Sequence, residues 1–179
     1  MQVAQRRVIS SRKSADPKVI AEHRKFMAEA LHEAEAGYSQ GGVPVGSVLV
    51  RRGRLVGRGH NQRVQKGSAI LHGEMDCLMN AGRQVSYLDT TIYTTLSPCM
   101  MCAGTIIQFN IPRVVVGENR NFGGNEDFLR QRGVDVVVLD DPDCYALMRK
   151  FIDEHGSLWS EDIGHVDSGG DARVALRQR

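Results

Sequence analysis

The chain has 179 residues, 41% hydrophobic and 25% charged, with a net charge of +2 and four cysteines. That length suits one domain with a core of its own, and no apolar run approaches the ~20 residues that span a bilayer. Basic residues crowd the first 25 positions, seven against two acids, whereas residues 26–165 hold 13 Lys or Arg against 17 Asp or Glu; the body lacks the basic face of a large nucleic-acid surface.

The elements follow in chain order. Residues 1–15, MQVAQRRVISSRKSA, are polar and basic and are expected to be a disordered leader; a transit peptide is the alternative. No secretory h-region is present, so the four cysteines indicate a reducing, cytoplasmic setting rather than a disulfide framework. Asp16-Pro17 caps a helix whose apolar face is Ile20, Phe26, Met27, Ala30, Leu31 and Ala34, with Gly37 as its stop. SVLVRRGRLVGRGHN is two strands turned at Arg52-Gly53, and a helix from about His72 to Asn80 ends at Gly82. TTIYTTL (90–96) is a strand, 98–109 a helix, RVVVGE (113–118) a strand and 126–131 a short helix. VDVVVLD (134–140) is a strand, PDCYALMRKFIDE (142–154) a helix, and SLWSEDI a last turn of helix. Residues 166–179 hold a Gly-Gly and are expected to be a flexible tail. The body, 16–165, is one α/β domain: a three-layer α/β/α sandwich around a five-stranded mixed sheet.

SPCMMC at 97–102 places two cysteines three apart at a helix start. That position alone fits a redox dithiol as well as a metal site. A closed structural zinc site needs two further close ligands, but Cys77 and Cys144 are isolated and read as small buried hydrophobes. LHGE at 71–74 supplies the companions. His-x-Glu followed by Pro-Cys-x-x-Cys resembles the signature of zinc-dependent deaminases. His72, Cys99 and Cys102 would hold one Zn²⁺ per chain and leave a fourth position for water. Glu74 would be the general acid and base rather than a ligand. Ser97 can cap the second helix with Pro98 at its first position, placing both thiols near a positive dipole end. His72 and Glu74 lie about 200° apart on a regular helix, so both serve one site only if His72 sits at the N-cap.

Longer stretches carry a wider resemblance: EAEAGYSQGGVPVGSVLV, GRGHNQRVQKGSAILHGE, TTIYTTLSPCMMCAGTIIQFNIPRVVVGENRNF, RGVDVVVLDD and FIDE with WSEDIG. Across most of residues 33–164 the chain resembles the yeast-type (fungal) cytosine deaminases of the cytidine deaminase superfamily. The resemblance implies hydrolysis of cytosine to uracil and ammonia, in pyrimidine salvage, by a homodimer. It implies that Asn61 hydrogen-bonds the pyrimidine, that the Gly73 N–H meets the base carbonyl, and that Ser97 makes a contact beside the zinc. Asp162 would bind the amino group under attack, while Phe122 and Trp159 close over the base. His60 matches a position next to the site. Met100 stands where the family tends to carry an acid, and Val45 replaces a slightly larger aliphatic.

These departures leave creatinine or isocytosine as alternative substrates, since small shape differences are worth only ~1–3 kcal/mol. A tRNA adenosine deaminase is a further rival, opposed by the acidic body and by glycine between His72 and Glu74. The remaining alternatives are nucleoside, guanine or riboflavin-pathway deaminases, a zinc-stabilised binding module and a thiol oxidoreductase. The partner expected is a small-molecule nucleobase or cyclic amidine, with no nucleic acid and no membrane.

Overall fold

The computed structural model describes residues 16–164; the leader and the tail lie outside the described residues. Helix α1 spans Pro17–Ser39, with the Asp16 side chain accepting the Lys18 N–H at 2.9 Å. It runs past Gly37, the expected stop. Gly37 serves packing there: a Cβ on it would stand 3.0 Å from the His60 ring. The chain turns away only at Gly41, whose φ is +82°.

Strands β1 (Gly46–Arg51) and β2 (Arg54–His60) form the expected hairpin. Arg52 and Gly53 both have positive φ, 49° and 75°, the twist that suits a two-residue hairpin turn. A four-residue helix, α2 (Arg63–Lys66), follows; no apolar period announced it. Then come α3 (Gly73–Ala81), β3 (Thr90–Leu96), α4 (Met100–Gln108), β4 (Arg113–Glu118), α5 (Glu126–Gln131), β5 (Asp135–Val138), α6 (Pro142–Glu154) and α7 (Gly156–Asp162).

The five strands lie in the order β2-β1-β3-β4-β5. β1 is antiparallel to both β2 and β3, whereas β3, β4 and β5 are mutually parallel. Side chains alternate across this sheet. Val48, Val50, Tyr93 and Val115 pack with Phe26, Met27 and Ala30 of α1 and Cys144 of α6. Leu49, Ile92, Val114 and Val116 pack on the other face with Cys77 and Leu78 of α3, Ala103 and Ile106 of α4, and Leu129 of α5. Burial on both faces explains why these strands read as near-continuous apolar runs. Cys77 and Cys144 are 0% and 3% exposed, as small hydrophobes should be. Among the described residues, no helix is long and apolar enough to cross a membrane.

A third apolar cluster fills one end of the sheet: Val43, Val45, Leu96, Met148, Phe151 and Trp159, with Phe122 and Ile163 against it. The antiparallel register brings the end of β2 beside the start of β1, and that beside the end of β3. Three strand termini therefore meet at the same end as the starts of α3 and α4.

Candidate active site

His72 is the N-cap of α3, with extended backbone at φ −68° and ψ 166°. That cap geometry lets His72 and the helical Glu74 face one site despite their spacing. Gly73 makes the approach possible. A Cβ there would lie 2.5 Å from the Val45 carbonyl oxygen, so only glycine lets α3 begin this close to the start of β1.

The second helix starts later than expected. Cys99, not Ser97, is the N-cap of α4, and Met100 is the first helical residue. Ser97 is still engaged with the sheet: its N–H donates to the Glu118 carbonyl at 3.0 Å, beside the Leu96–Glu118 pairing of β3 and β4. Helical backbone begins once that bond is left behind. The Cys99 carbonyl then accepts the Ala103 N–H at 2.8 Å.

His72, Cys99 and Cys102 offer three ligand atoms within 4.8 Å of one another. A nitrogen ~2.0 Å and a sulfur ~2.3 Å from a tetrahedral zinc lie about 3.5 Å apart. His72 Nδ1 and Cys99 Sγ stand 3.5 Å apart. The donor set and spacing fit zinc. A hydrogen bond from the Cys102 thiol brings Cys99 down to about 4; the same bond, with burial, pushes Cys102 well above the usual thiol range. A metal that takes both as thiolates must displace the Cys102 proton. Burial alone would lower the His72 imidazolium, but the Cys99 hydrogen bond and the Asp162 charge outweigh it, and the net shift is upward.

Glu74 is 3% exposed. Burial, then the Cys99 charge, pushes its carboxyl above the ordinary range. Its Oε1 accepts the Thr94 hydroxyl at 3.3 Å, which fixes the carboxyl beside the sulfurs.

One small pocket gathers most of the predicted residues: Asn61, His72, Glu74, Ser97, Cys99, Phe122, Trp159 and Asp162 line it, with Val45 on the wall. Cys102 is buried behind it and Gly73 lies between two lining residues. Ser97 Oγ is buried with no protein hydrogen-bond partner among the described residues, a hydroxyl suited to a ligand. The Asn61 side chain donates to Asp162 Oδ1 at 2.9 Å and accepts the Arg63 N–H at 3.0 Å. Phe122 and Trp159 meet edge to face, ring centroids 6.0 Å apart. His60 lies just outside, its ring 3.2 Å from Glu33 Oε2 and 3.3 Å from Gln40 Oε1. Met100 is 58% exposed and does not line the pocket, whereas Val45 does.

Three contributors escaped sequence reasoning. Thr94 is hidden inside a β-rich run. Arg63 pairs with Glu161 and Asp162, about a hundred residues away, and nothing local signals such a contact. Buried Glu118 accepts the N–H groups of Arg120 and Asn121 at 2.6 and 3.0 Å, shaping the loop that presents Phe122.

Residues 20–118 match the cytidine and deoxycytidylate deaminase zinc-binding region. The chain is 54% identical over 144 residues to a cytosine deaminase of Candida albicans, covering 79% of this chain and 96% of that protein. It is 41% identical over 112 residues to a tRNA-specific adenosine deaminase of Streptococcus pyogenes, covering 60% of this chain and 70% of that one. A solved structure from work on A-to-I editing by tRNA A34 deaminases superposes with a TM-score of 0.62 at 28% identity, covering 69% of this chain and 99% of that chain. With its zinc-site residues drawn together and more than half its length matched, the chain belongs to the cytidine and deoxycytidylate deaminase zinc-binding family.

Proposed function

We propose that this protein is a zinc-dependent hydrolase that converts cytosine and water to uracil and ammonia. One observation carries the reading: a buried Glu74 lies beside a His-Cys-Cys donor set in a pocket walled by Asn61, Asp162, Phe122 and Trp159. The 54% identity to the Candida albicans cytosine deaminase supports the choice of base.

His72, Cys99 and Cys102 would hold the zinc. When bound, the ion lowers the pKa of water toward 7 and polarises it for attack. Glu74 takes the proton of the attacking water and passes it to the ring nitrogen; it then takes the proton of the newly added hydroxyl and delivers it to the departing amine as the ring carbonyl forms. A carboxyl raised by burial is suited to release and recapture a proton near neutral pH. Asn61 keeps one amide N–H and one carbonyl lone pair beyond its two protein bonds, enough to meet the adjacent donor and acceptor on a pyrimidine edge. The Gly73 N–H, in the first helical turn, has no intrahelical partner and suits the base carbonyl. Asp162 would accept from the amino group. The walls of Phe122 and Trp159 favour a flat free base over one carrying ribose.

The test is ammonia release from zinc-loaded protein with cytosine, 5-methylcytosine, isocytosine, creatinine, cytidine, adenine and guanine, with Glu74→Gln as the blank. Cytosine should dominate. Fast turnover of another cyclic amidine would keep the zinc chemistry and overturn the substrate, with Val45 as the first wall residue to exchange.

The reading includes a cytoplasmic homodimer acting in pyrimidine salvage. In support of the dimer, Met79, Val85, Leu88 and Phe109 are 56%, 100%, 62% and 43% exposed around one concave surface beside α3 and α4, and contiguous apolar surface marks interaction sites. Met79→Asp should convert a dimer to a monomer in analytical ultracentrifugation.

A further inference from the structure

Asp162 uses its two oxygens unequally. Oδ1 accepts Asn61 Nδ2 at 2.9 Å and Arg63 Nη1 at 3.1 Å, and His72 Nε2 stands 4.0 Å from the same atom. No described protein group donates to Oδ2, which remains for a ligand in the pocket that Asp162 lines. The other arm of the Arg63 fork, Nη2, reaches Glu161 Oε1 at 3.2 Å. The Arg63 N–H is itself held by Asn61 Oδ1 at 3.0 Å. One residue thus joins α2, Asn61 and two consecutive residues of α7, the helix that carries Trp159.

The two arms differ in weight. The Arg63 and Asp162 side chains are 16% and 7% exposed, but that of Glu161 is 67% exposed. The sheltered arm is the stronger, because an exposed ion pair is screened by solvent. A planar guanidinium serves both carboxylates at once; a lysine ammonium lacks that fixed fork.

We propose that Arg63 is the positioning residue of this site: it turns Asp162 so that Oδ2 faces the substrate amino group, and it seats α7 and Trp159 over the pocket. This deepens the cytosine reading and rests on it for its kinetic consequence, though not for the seating of α7. The chain has a single tryptophan, so fluorescence excited at the red edge, where tyrosine does not absorb, reports Trp159 alone.

The experiment compares Arg63→Ala, Arg63→Lys and Glu161→Gln in the zinc-loaded full chain. For Arg63→Ala, KM for cytosine should rise roughly tenfold, the scale of a lost charged hydrogen bond, and kcat should fall less. Bound zinc should remain at the parental level, and Trp159 emission should shift to the red without substrate as the indole meets water. Arg63→Lys should be intermediate, and it carries the test if the alanine variant does not fold. Glu161→Gln should stay within about twofold of the parent, as expected for an exposed pair. Parental KM and emission in Arg63→Ala would overturn the proposal. So would equal losses in Glu161→Gln and Arg63→Ala, which would make the fork a general surface tie. If the parent releases no ammonia from cytosine, the substrate reading fails, while the emission change still decides the seating of α7.

Discussion

The floor of the pocket and its cover are built differently. The floor is the paired starts of α3 and α4, where His72, Glu74, Cys99 and Cys102 come from two short motifs laid on a buried sheet end. Its groups are ordered by backbone caps and by strand pairing. The cover is Asn61 and Arg63 on one side, the 119–122 loop and α7 on the other. Its polar joint spans 101 positions of sequence between Asn61 and Asp162. At the floor, Gly73 leaves no room for a side chain beside Val45. The cover is held by side-chain hydrogen bonds and aromatic edges. On the proposed function, the floor would supply the reaction chemistry and the cover would select what reaches it.

Four experiments break or sharpen that contrast. The largest effect is on the floor: Glu74→Gln should cut kcat by about 10²–10⁴-fold, the range for a lost general acid and base, with zinc still bound in elemental analysis. Substantial turnover would remove Glu74 from its role. His72→Ala should lose both zinc and activity, because two sulfurs remain without the nitrogen; zinc retained at one per chain would exclude His72 as a ligand.

Gly73→Ala forces a Cβ to within 2.5 Å of a backbone oxygen. It should cost about 1–3 kcal/mol in denaturant unfolding, the usual cost of overpacking, and should weaken zinc affinity. Gly104→Ala in α4, where a Cβ would meet nothing within 4 Å, should instead be neutral or stabilising by up to about 1 kcal/mol. Equal outcomes for the two glycines would refute the packing account of the floor.

The smallest effect is a stability difference. Burial raises the Glu74 carboxyl above its ordinary value near 4.5, so the folded chain binds that proton more tightly than the unfolded chain. Its contribution is whole below the ordinary value and is lost as pH rises through the raised one. Metal-free Glu74→Gln should therefore match the parent at low pH and melt above it near neutral pH. The gap should be about 2–4 °C for each kcal/mol recovered. A constant difference at every pH would show that Glu74 does not titrate out of its burial.

The order of strands and helices was legible in the chain because apolar alternation and turn residues are local signals. Cysteine spacing and His-x-Glu named the floor for the same reason, and the need for His72 at an N-cap followed from helical pitch alone. Two boundaries moved when tertiary contacts overrode local rules. Gly37 stays helical to admit the His60 ring, and Ser97 remains bound to β4, which delays α4 to Cys99. The resemblance to fungal enzymes singled out Asn61, Phe122, Trp159 and Asp162, and the fold brings them to one pocket.

By itself, then, the sequence determined the layer architecture, the candidate metal donors and the proposed proton carrier, since each is signalled by a period or a short motif within single elements. Only the tertiary structure decided that Arg63 grips Asp162, that Thr94 steadies Glu74, and that Glu118 shapes the loop bearing Phe122. The first two contacts join residues that share no helix face or local period, and their pairing exists only after the fold has brought distant segments together. The third is short in sequence, two and three positions ahead of Glu118, but it depends on a carboxylate buried at the end of β4.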